Sequence, residues 1–226
     1  MIAGRPPHRA YRDPCAAVSP RHLRMFGQPT GRLRRPGRAS IRVSASDRLE
    51  AVTVQTPHGA NVAIMARSQW HRFYETSSAA PAELLFRLLS DLPNYGDWLP
   101  GSEAFGRTTD VEPYPVRRGT RYHDGKPDEP GNDWWGTVTG YQPSGSVDFH
   151  HTIHVKQLRA TVDVHIHYSL EAENGGTVVT RWLILDVTMP VVFRPLRSLA
   201  TARFDKENVR TMAALKQYAE AQSSIG

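Results

Sequence analysis

The end of the chain carries a helical pattern of apolar residues, with one slip between Phe204 and Val209. The residues that recur at steps of three or four are Leu196, Leu199, Ala200, Phe204, Val209, Met212, Leu215 and Ala219. Charged residues fill the positions between them, so one side of the helix is apolar and the other is polar. The pattern predicts a long helix that begins at or just after Pro195 and rests its apolar side on a broad apolar surface.

A two-residue alternation of apolar and polar positions predicts strands through the middle of the chain. The predicted strands are Gln69–Ser78, Glu103–Glu112, Gly119–Asp124, Asp133–Tyr141, Val147–Lys156, Ala160–Ala172 and Thr177–Met189. Because the turns between the last six are short, neighbouring strands are expected to pair antiparallel. Two further segments follow the first strand. SAAPAELLFRLLSD predicts a helix with an apolar face, and PNYGDWLPG predicts a short second helix or turn.

A family resemblance rests on five blocks taken in order: SSAAPAELLFRLLSD, NYGDWLPG, WWGTVTGYQPSGSVDF, TVVTRWLILDV and LKQYAEA. This ordered set resembles the START-like superfamily, also called SRPBCC or Bet v 1-like, and most of all its bacterial polyketide cyclase/dehydrase branch. The resemblance covers residues 67–222. It implies an α+β helix-grip fold, in which a curved antiparallel sheet of about seven strands wraps around the long C-terminal helix. It also implies a cavity between sheet and helix, with the two short helices closing one end.

Alternation along the strands assigns side chains to the two faces of the sheet. The assignment is ambiguous in Thr177–Met189, where Trp182 and Ile184 compete with the apolar residues on the other face. The residues predicted to line the cavity are Trp98, Tyr122, Trp134, Phe149, His151, Val164, Ile166, Tyr168, Trp182, Leu199, Phe204 and Met212. Aromatic and aliphatic side chains with a few polar groups suit a flat or lipid-like guest. The alternative is that these side chains only fill the core.

One histidine, His151, falls on an otherwise apolar strand face and is the candidate catalytic residue. It would act as a general acid or base, or as a hydrogen-bond anchor, and the alternative is a core histidine with satisfied hydrogen bonds. Asp186 is a second candidate if its face points inward. The sequence has no nucleophile elbow, phosphate loop or CxxC pair. The iron ligands of the ring hydroxylases in this superfamily have no match either, so no cofactor is expected.

Four further histidines fall on the polar face of two adjacent predicted strands. They are His150, His154, His165 and His167, with Asp163 among them. A turn centred near residues 158 and 159 predicts His150 opposite His167 and His154 opposite Asp163. A divalent metal could bridge such a group. A solvated outer face is the simpler interpretation, and we predict no metal site.

The positive charge of the chain is concentrated at its N-terminus. The 226 residues carry a net charge of +6, yet residues 1–64 hold eleven Arg, no Lys and three acidic residues. The remainder holds seventeen basic and nineteen acidic residues. The basic pI therefore gives no reason to expect the domain at 67–222 to bind nucleic acid.

Residues 1–64 are rich in Arg, Pro and Gly and predict a disordered extension. Val52, Val54, Val62 and Ile64 alternate weakly, and we assign no element to them. Four interpretations remain open: an extension upstream of a start at Met65, a solvated tail, an organelle transit peptide, or an arm that binds nucleic acid or anionic membranes.

The single cysteine, Cys15, lies in the extension, so the domain can form no disulfide, which suits a reducing compartment. No run reaches the roughly 18–20 apolar residues of a membrane span, and the chain does not start with the apolar core of a secretory signal. We therefore predict a cytoplasmic protein.

The function predicted first is a binder or carrier of a hydrophobic small molecule that is aromatic, polyketide-like or lipid-like. One alternative is a cyclase/aromatase-type enzyme that uses His151 or a carboxylate for proton transfer. Another is a protein-interaction module, which would have a filled core and an exposed apolar patch. Neither the identity of the ligand nor the oligomeric state follows from the sequence.

Overall fold

Eight antiparallel strands form one curved sheet in the computed structural model, which describes residues 41–53, 64–101, 107–125 and 134–224. The strands are β1 (Arg42–Thr53), β2 (Ile64–Ser78), β3 (Arg107–Glu112), β4 (Arg121–Gly125), β5 (Trp134–Gln142), β6 (Ser146–Val155), β7 (Ala160–Glu173) and β8 (Gly176–Pro190). Their order across the sheet is β1-β2-β8-β7-β6-β5-β4-β3. All strands from β3 to β8 pair with their neighbours in sequence, as the short turns predict.

The helices are α1 (Ala82–Ser90), α2 (Tyr95–Trp98) and α3 (Arg197–Ser223), with 3-10 turns at Leu92–Asn94, Lys156–Leu158 and Val191–Leu196. The long helix α3 packs against β2 and α1. Its apolar side is enclosed, since Met212, Leu215 and Ala219 have no exposed surface. The predicted α+β helix-grip fold is thus confirmed.

The first strand is a correction to the sequence analysis, because β1 lies within the segment predicted to be disordered. It pairs with β2 along its whole length, from Arg42 opposite Glu75 to Thr53 opposite Ile64. Residues 42–48 of β1 are exposed and mostly polar, so no apolar alternation marks the strand. Residues 1–40 and 54–63 of the predicted extension lie outside the described residues.

A buried guanidinium ties β1 to the rest of the sheet. Arg72 on β2 donates hydrogen bonds to Asp47 on β1 at 2.7 Å and to Asp205 on α3 at 3.0 Å. The Tyr74 hydroxyl donates to the same Asp205 carboxylate at 2.7 Å. The strand is therefore held through charge-assisted contacts, and the sheet has eight strands where about seven were predicted.

Burial settles the ambiguous face of β8. Val179, Leu183 and Val187 are buried on the face toward α3, as are Arg181 and Leu185 between them. Trp182, Ile184 and Asp186 are on the opposite face. Trp182 packs edge-to-face against Phe73 of β2, with ring centroids 5.9 Å apart. Asp186 accepts a hydrogen bond from Gln69 at 3.1 Å, so it is not a cavity group.

The outer histidines pair in a register two residues from the predicted one. His150 lies opposite His165, with the rings stacked at 4.3 Å, and Asp148 lies opposite His167. The cause is the turn, which closes with a 3-10 helix at Lys156–Leu158 and left-handed Arg159, and so is centred one residue earlier than expected. Within the described residues, no group of three His, Cys, Asp or Glu is placed to hold a metal ion.

No helix among the described residues is long and apolar enough to cross a membrane. The cytoplasmic location stays a prediction.

Candidate functional site

A cavity of about 220 Å³ lies between the inner face of the sheet and α3. Strands β4 to β8 form its floor, and the segment around α2 forms one end. Nine of the residues predicted to line a cavity lie around it: Trp98, Tyr122, Trp134, Phe149, His151, Val164, Ile166, Tyr168 and Phe204. Their contact with a guest stays a prediction.

Two of the other three predicted lining residues, Trp182 and Met212, are not among the residues around the cavity. Trp182 is on the outer face of the sheet, because its partner positions on β2 and β7 are Phe73 and His167, which also point outward. Met212 is next to the lining residue Thr211, but successive helical side chains point about 100° apart, and Met212 is enclosed in the core. The side chain of Leu199 lies outside the described part of the chain.

Sequence reasoning missed nine lining residues: Leu92, Tyr95, Leu99, Asp124, Ile153, Arg181, Glu207, Asn208 and Thr211. The strand positions could have been found from alternation, since Asp124 is two residues from Tyr122 and Ile153 is two residues from His151. Arg181 shares the face of Leu183 by the same rule. A charged side chain at such a position is assigned to the solvent-facing side of the sheet until the pairing of the strands is known.

Two aromatic side chains of α2 close one end of the cavity. The Tyr95 hydroxyl donates a hydrogen bond to the Leu89 carbonyl oxygen at 2.6 Å, and the Trp98 indole donates to the Leu88 carbonyl oxygen at 3.2 Å. Their rings meet edge-to-face at 5.0 Å. These bonds satisfy the last carbonyls of α1 and fix both rings at the cavity wall.

The polar residues that α3 places at the cavity are engaged by their own helix. Asn208 donates to the Phe204 carbonyl oxygen at 2.8 Å, and Thr211 donates to the Glu207 carbonyl oxygen at 2.9 Å. The Glu207 carboxylate accepts from Arg210 at 3.1 Å. The helical wall therefore combines the apolar ring of Phe204 with three polar side chains that already have hydrogen-bond partners.

Three positions in register across β4, β5 and β6 build the polar part of the site. Tyr122 lies opposite Gly136, and Gly136 lies opposite His151. A Cβ atom at Gly136 would stand 2.3 Å from Cζ of Tyr122. The missing side chain therefore lets the Tyr122 ring lie across β5, where its hydroxyl meets Nε2 of His151 at 2.7 Å.

The chain of polar groups continues through Asp124. Nδ1 of His151 stands 3.7 Å from Oδ2 of Asp124, which is beyond hydrogen-bond distance. The Thr108 hydroxyl on β3 donates to Oδ1 of Asp124 at 2.6 Å. Four side chains from β3, β4 and β6 thus form one buried row that ends at the cavity.

Burial controls the protonation of this row. It raises the pKa of the Asp124 carboxyl to about 7, although the hydrogen bond from Thr108 and the nearby His123 act in the opposite direction. A carboxyl with this pKa is about half protonated at neutral pH.

Burial also lowers the pKa of the His151 imidazole to about 3, and His150 and Arg181 act in the same direction. His151 is therefore neutral at neutral pH, so its contact with Asp124 is not an ion pair. Burial raises the pKa of Tyr122 well above its usual value, and the phenol keeps its proton. The neutral imidazole has one donor and one acceptor nitrogen, so its tautomer sets whether the Tyr122 hydroxyl donates to Nε2 or accepts from it.

No protein-family model matches the chain, and no curated protein sequence matches it. Among solved structures, TTHA0849 from Thermus thermophilus is 18% identical with a TM-score of 0.51, over 67% of this chain and 97% of that one. Ara h 8.0201 is 15% identical with a TM-score of 0.49, over 68% and 99%. An uncharacterized Rhizobium leguminosarum protein is 13% identical with a TM-score of 0.48, over 79% and 98%.

Sequence identities this low show a shared fold and nothing about function. The sheet order, the enclosed helix α3 and the match to TTHA0849 together support the helix-grip fold, and the resemblance to the START-like superfamily stays a prediction. The nearer resemblance to the polyketide cyclase/dehydrase branch stays a prediction. The chain has the helix-grip fold, with an aromatic-lined cavity between its sheet and its last helix.

Proposed function

We propose that this chain binds a hydrophobic small molecule, aromatic, polyketide-like or lipid-like, between its sheet and α3, and acts as a binder or carrier. The observation that supports the proposal is the cavity of about 220 Å³ with walls of aromatic and aliphatic side chains. An apolar protein cavity of about 150 Å³ can hold benzene. A space of this larger size suits a molecule of about two fused rings.

Water exclusion supplies the driving force for such a guest. Burying apolar surface contributes about 25 cal/mol per Å², so roughly 400 Å² of guest and wall surface together gives about 10 kcal/mol before association costs. The rings of Phe149, Tyr168 and Trp98 offer flat contact surfaces at fixed positions. Affinities in the micromolar range are expected for a guest that also meets the polar groups of the wall.

The test uses a neutral fluorescent dye of two fused rings, 1-naphthylamine, and two matched variants. Ile166 lines the cavity, whereas Ile184 lies on the outer face of the neighbouring strand. Ile166→Trp fills part of the cavity and is expected to weaken dye binding at least tenfold. Ile184→Trp adds the same bulk outside and is expected to leave binding within about twofold. Absence of dye binding to the wild type at micromolar concentrations, or equal binding by Ile166→Trp, would overturn the proposal.

A second candidate function is a cofactor-free enzyme of the cyclase/aromatase kind. The observation that favours it is the row from Thr108 through Asp124 and His151 to Tyr122. A carboxyl with a pKa of about 7 suits proton transfer at neutral pH. The Asp124 carboxyl lines the cavity and would exchange the proton with the substrate, while the neutral imidazole holds the phenol through the hydrogen bond of 2.7 Å.

The two candidates separate in the variant His151→Ala. An enzyme should lose turnover of a poly-β-carbonyl substrate analogue while dye affinity changes little. A carrier should show no turnover in either form. The protein-interaction alternative assumed a filled core, and we do not propose it, because the described residues enclose a cavity.

A further inference from the structure

Arg181 is a buried cation at the side of the cavity floor formed by β8. It lies on the inner face of β8, opposite Tyr74 on one side and Tyr168 on the other. The residue is only 9% exposed and lines the cavity. Its guanidinium stands over the Tyr168 ring, 5.0 Å from the ring centroid.

The guanidinium has no ionic partner among the described residues. Its Nε atom is buried without a hydrogen-bond partner, and no carboxylate in the described ranges forms an ion pair with it. The acidic side chains on neighbouring elements are engaged elsewhere. Asp205 accepts from Arg72 and Tyr74, Glu207 accepts from Arg210, and Asp124 accepts from Thr108.

A guanidinium cannot lose its proton under ordinary conditions, so the charge stays in the wall. Burying an unpaired charge is costly, and a single cation–π contact offsets only part of that cost. The neighbouring wall adds a second unused donor, because the indole Nε1 of Trp134 is also buried without a partner. Both unused polar atoms are donors, and one belongs to a cation.

We infer that the guest of this cavity is an amphiphile, with a ring or chain for the apolar walls and one acidic group, of the carboxylate kind, that pairs with Arg181. The inference rests on the proposed binding function and specifies its ligand class. The planar guanidinium fits a carboxylate, and the pair gains strength away from water. The same contact gives Arg181 the counter-charge that the described residues do not supply.

The test compares two probes of nearly the same shape, ionised 2-naphthoate and neutral 2-naphthalenemethanol, by isothermal titration calorimetry on the full chain at pH 7.5. The wild type is expected to bind the carboxylate at least tenfold more tightly than the alcohol, as for a charge-assisted hydrogen bond in a buried site. Arg181→Met is expected to lose this preference while it binds the alcohol within about threefold of wild type.

Arg121→Met is the matched control, since Arg121 is exposed on β4 and stands over Trp135 outside the cavity. It removes the same charge and is expected to keep the preference for the carboxylate. Equal affinity of the wild type for both probes overturns the inference and leaves the proposed function standing. Loss of the preference in Arg121→Met also overturns it, because the effect would then come from net charge.

Failure of both probes to bind the wild type would overturn the proposed function together with the inference. Circular dichroism checks that each variant is folded. If Arg181→Met does not fold, the comparison of the two probes on the wild type still tests the inference. Arg181→Lys then takes the place of Arg181→Met. Arg181→Lys keeps the charge without the planar fork and is expected to retain part of the preference.

Discussion

Gly136 is the position where one added methyl group should disturb the site most. In Gly136→Ala the new Cβ would lie 2.3 Å from Cζ, 2.5 Å from Cε2 and 2.6 Å from Oη of Tyr122. Atoms this close cannot coexist, so the ring must move. Tyr122 is 2% exposed and is enclosed by Phe149 and His151, with ring centroids at 5.9 and 5.3 Å. The ring can therefore move only toward the cavity that it lines, which takes its hydroxyl away from His151.

The expected cost combines overpacking with a lost hydrogen bond. Forcing a methyl group into a packed core costs about 1–3 kcal/mol. Separating the Tyr122 hydroxyl from His151 leaves buried polar groups unsatisfied, which costs about 1–3 kcal/mol more. We expect Gly136→Ala to lower the free energy of unfolding by roughly 2–6 kcal/mol.

Urea unfolding followed by tryptophan fluorescence measures this loss. Gly96→Ala is the control, since nothing lies within 4 Å of a Cβ at that position, and we expect a change below about 0.5 kcal/mol. In a Tyr122→Leu background the cost of Gly136→Ala should fall by more than half, because the ring that clashes is gone. A cost below about 0.5 kcal/mol in the wild-type background, or an equal cost in both backgrounds, would refute the assigned role of Gly136.

Other expectations concern the charges of the fold and the titration of the site. Arg72→Met should destabilise the protein by about 2–3 kcal/mol, because the partly exposed carboxylates of Asp205 and Asp47 lose charge-assisted hydrogen bonds to a buried guanidinium. Arg42 forms an exposed ion pair with Glu75 at 3.9 Å, so Arg42→Met should cost less than about 1 kcal/mol in the same urea assay. Equal losses of stability in Arg42→Met and Arg72→Met would contradict this expectation. The folded-state pKa of Asp124 is raised to about 7, so its contribution to stability falls as pH rises from about 4 to 7. The folded-state pKa of His151 is lowered to about 3, so its contribution rises with pH between about 3 and 6.5. In Asp124→Asn the free energy of unfolding should therefore rise more steeply with pH between about 4 and 6.5 than in the wild type. In His151→Gln its slope against pH should be shifted in the opposite direction, toward a fall. A slope equal to that of the wild type in either variant would count against the assignment for that residue.

Two strong periodicities predicted the main elements and their inward faces, and the family resemblance implied how those elements assemble into the helix-grip fold. The apolar stripe of α3 and the alternation in β6 and β7 each place one face against the core, so their inward residues could be named in advance. Trp182 could not be placed, because both faces of β8 carry apolar side chains and the outer one packs on Phe73. β1 escaped notice because an edge strand with exposed polar residues shows no apolar pattern.

The polar part of the site could not be predicted from alternation, because its contacts depend on which residues of neighbouring strands lie opposite each other. The contact of Tyr122 with His151 requires both strands to flank Gly136, and the register shift of β6 against β7 shows how one residue in a turn changes every partner. Arg181 was missed because a buried charge without a partner is rare. The same rarity makes it informative once the fold is known.

The most direct measurement is a crystal structure of the chain grown with 2-naphthoate. We expect electron density for the two rings between α3 and the sheet, in contact with Phe149 and Tyr168, and the carboxylate beside Arg181. Density for water alone in the cavity, or naphthoate bound only elsewhere on the surface, would contradict the central claim that this space holds an apolar guest.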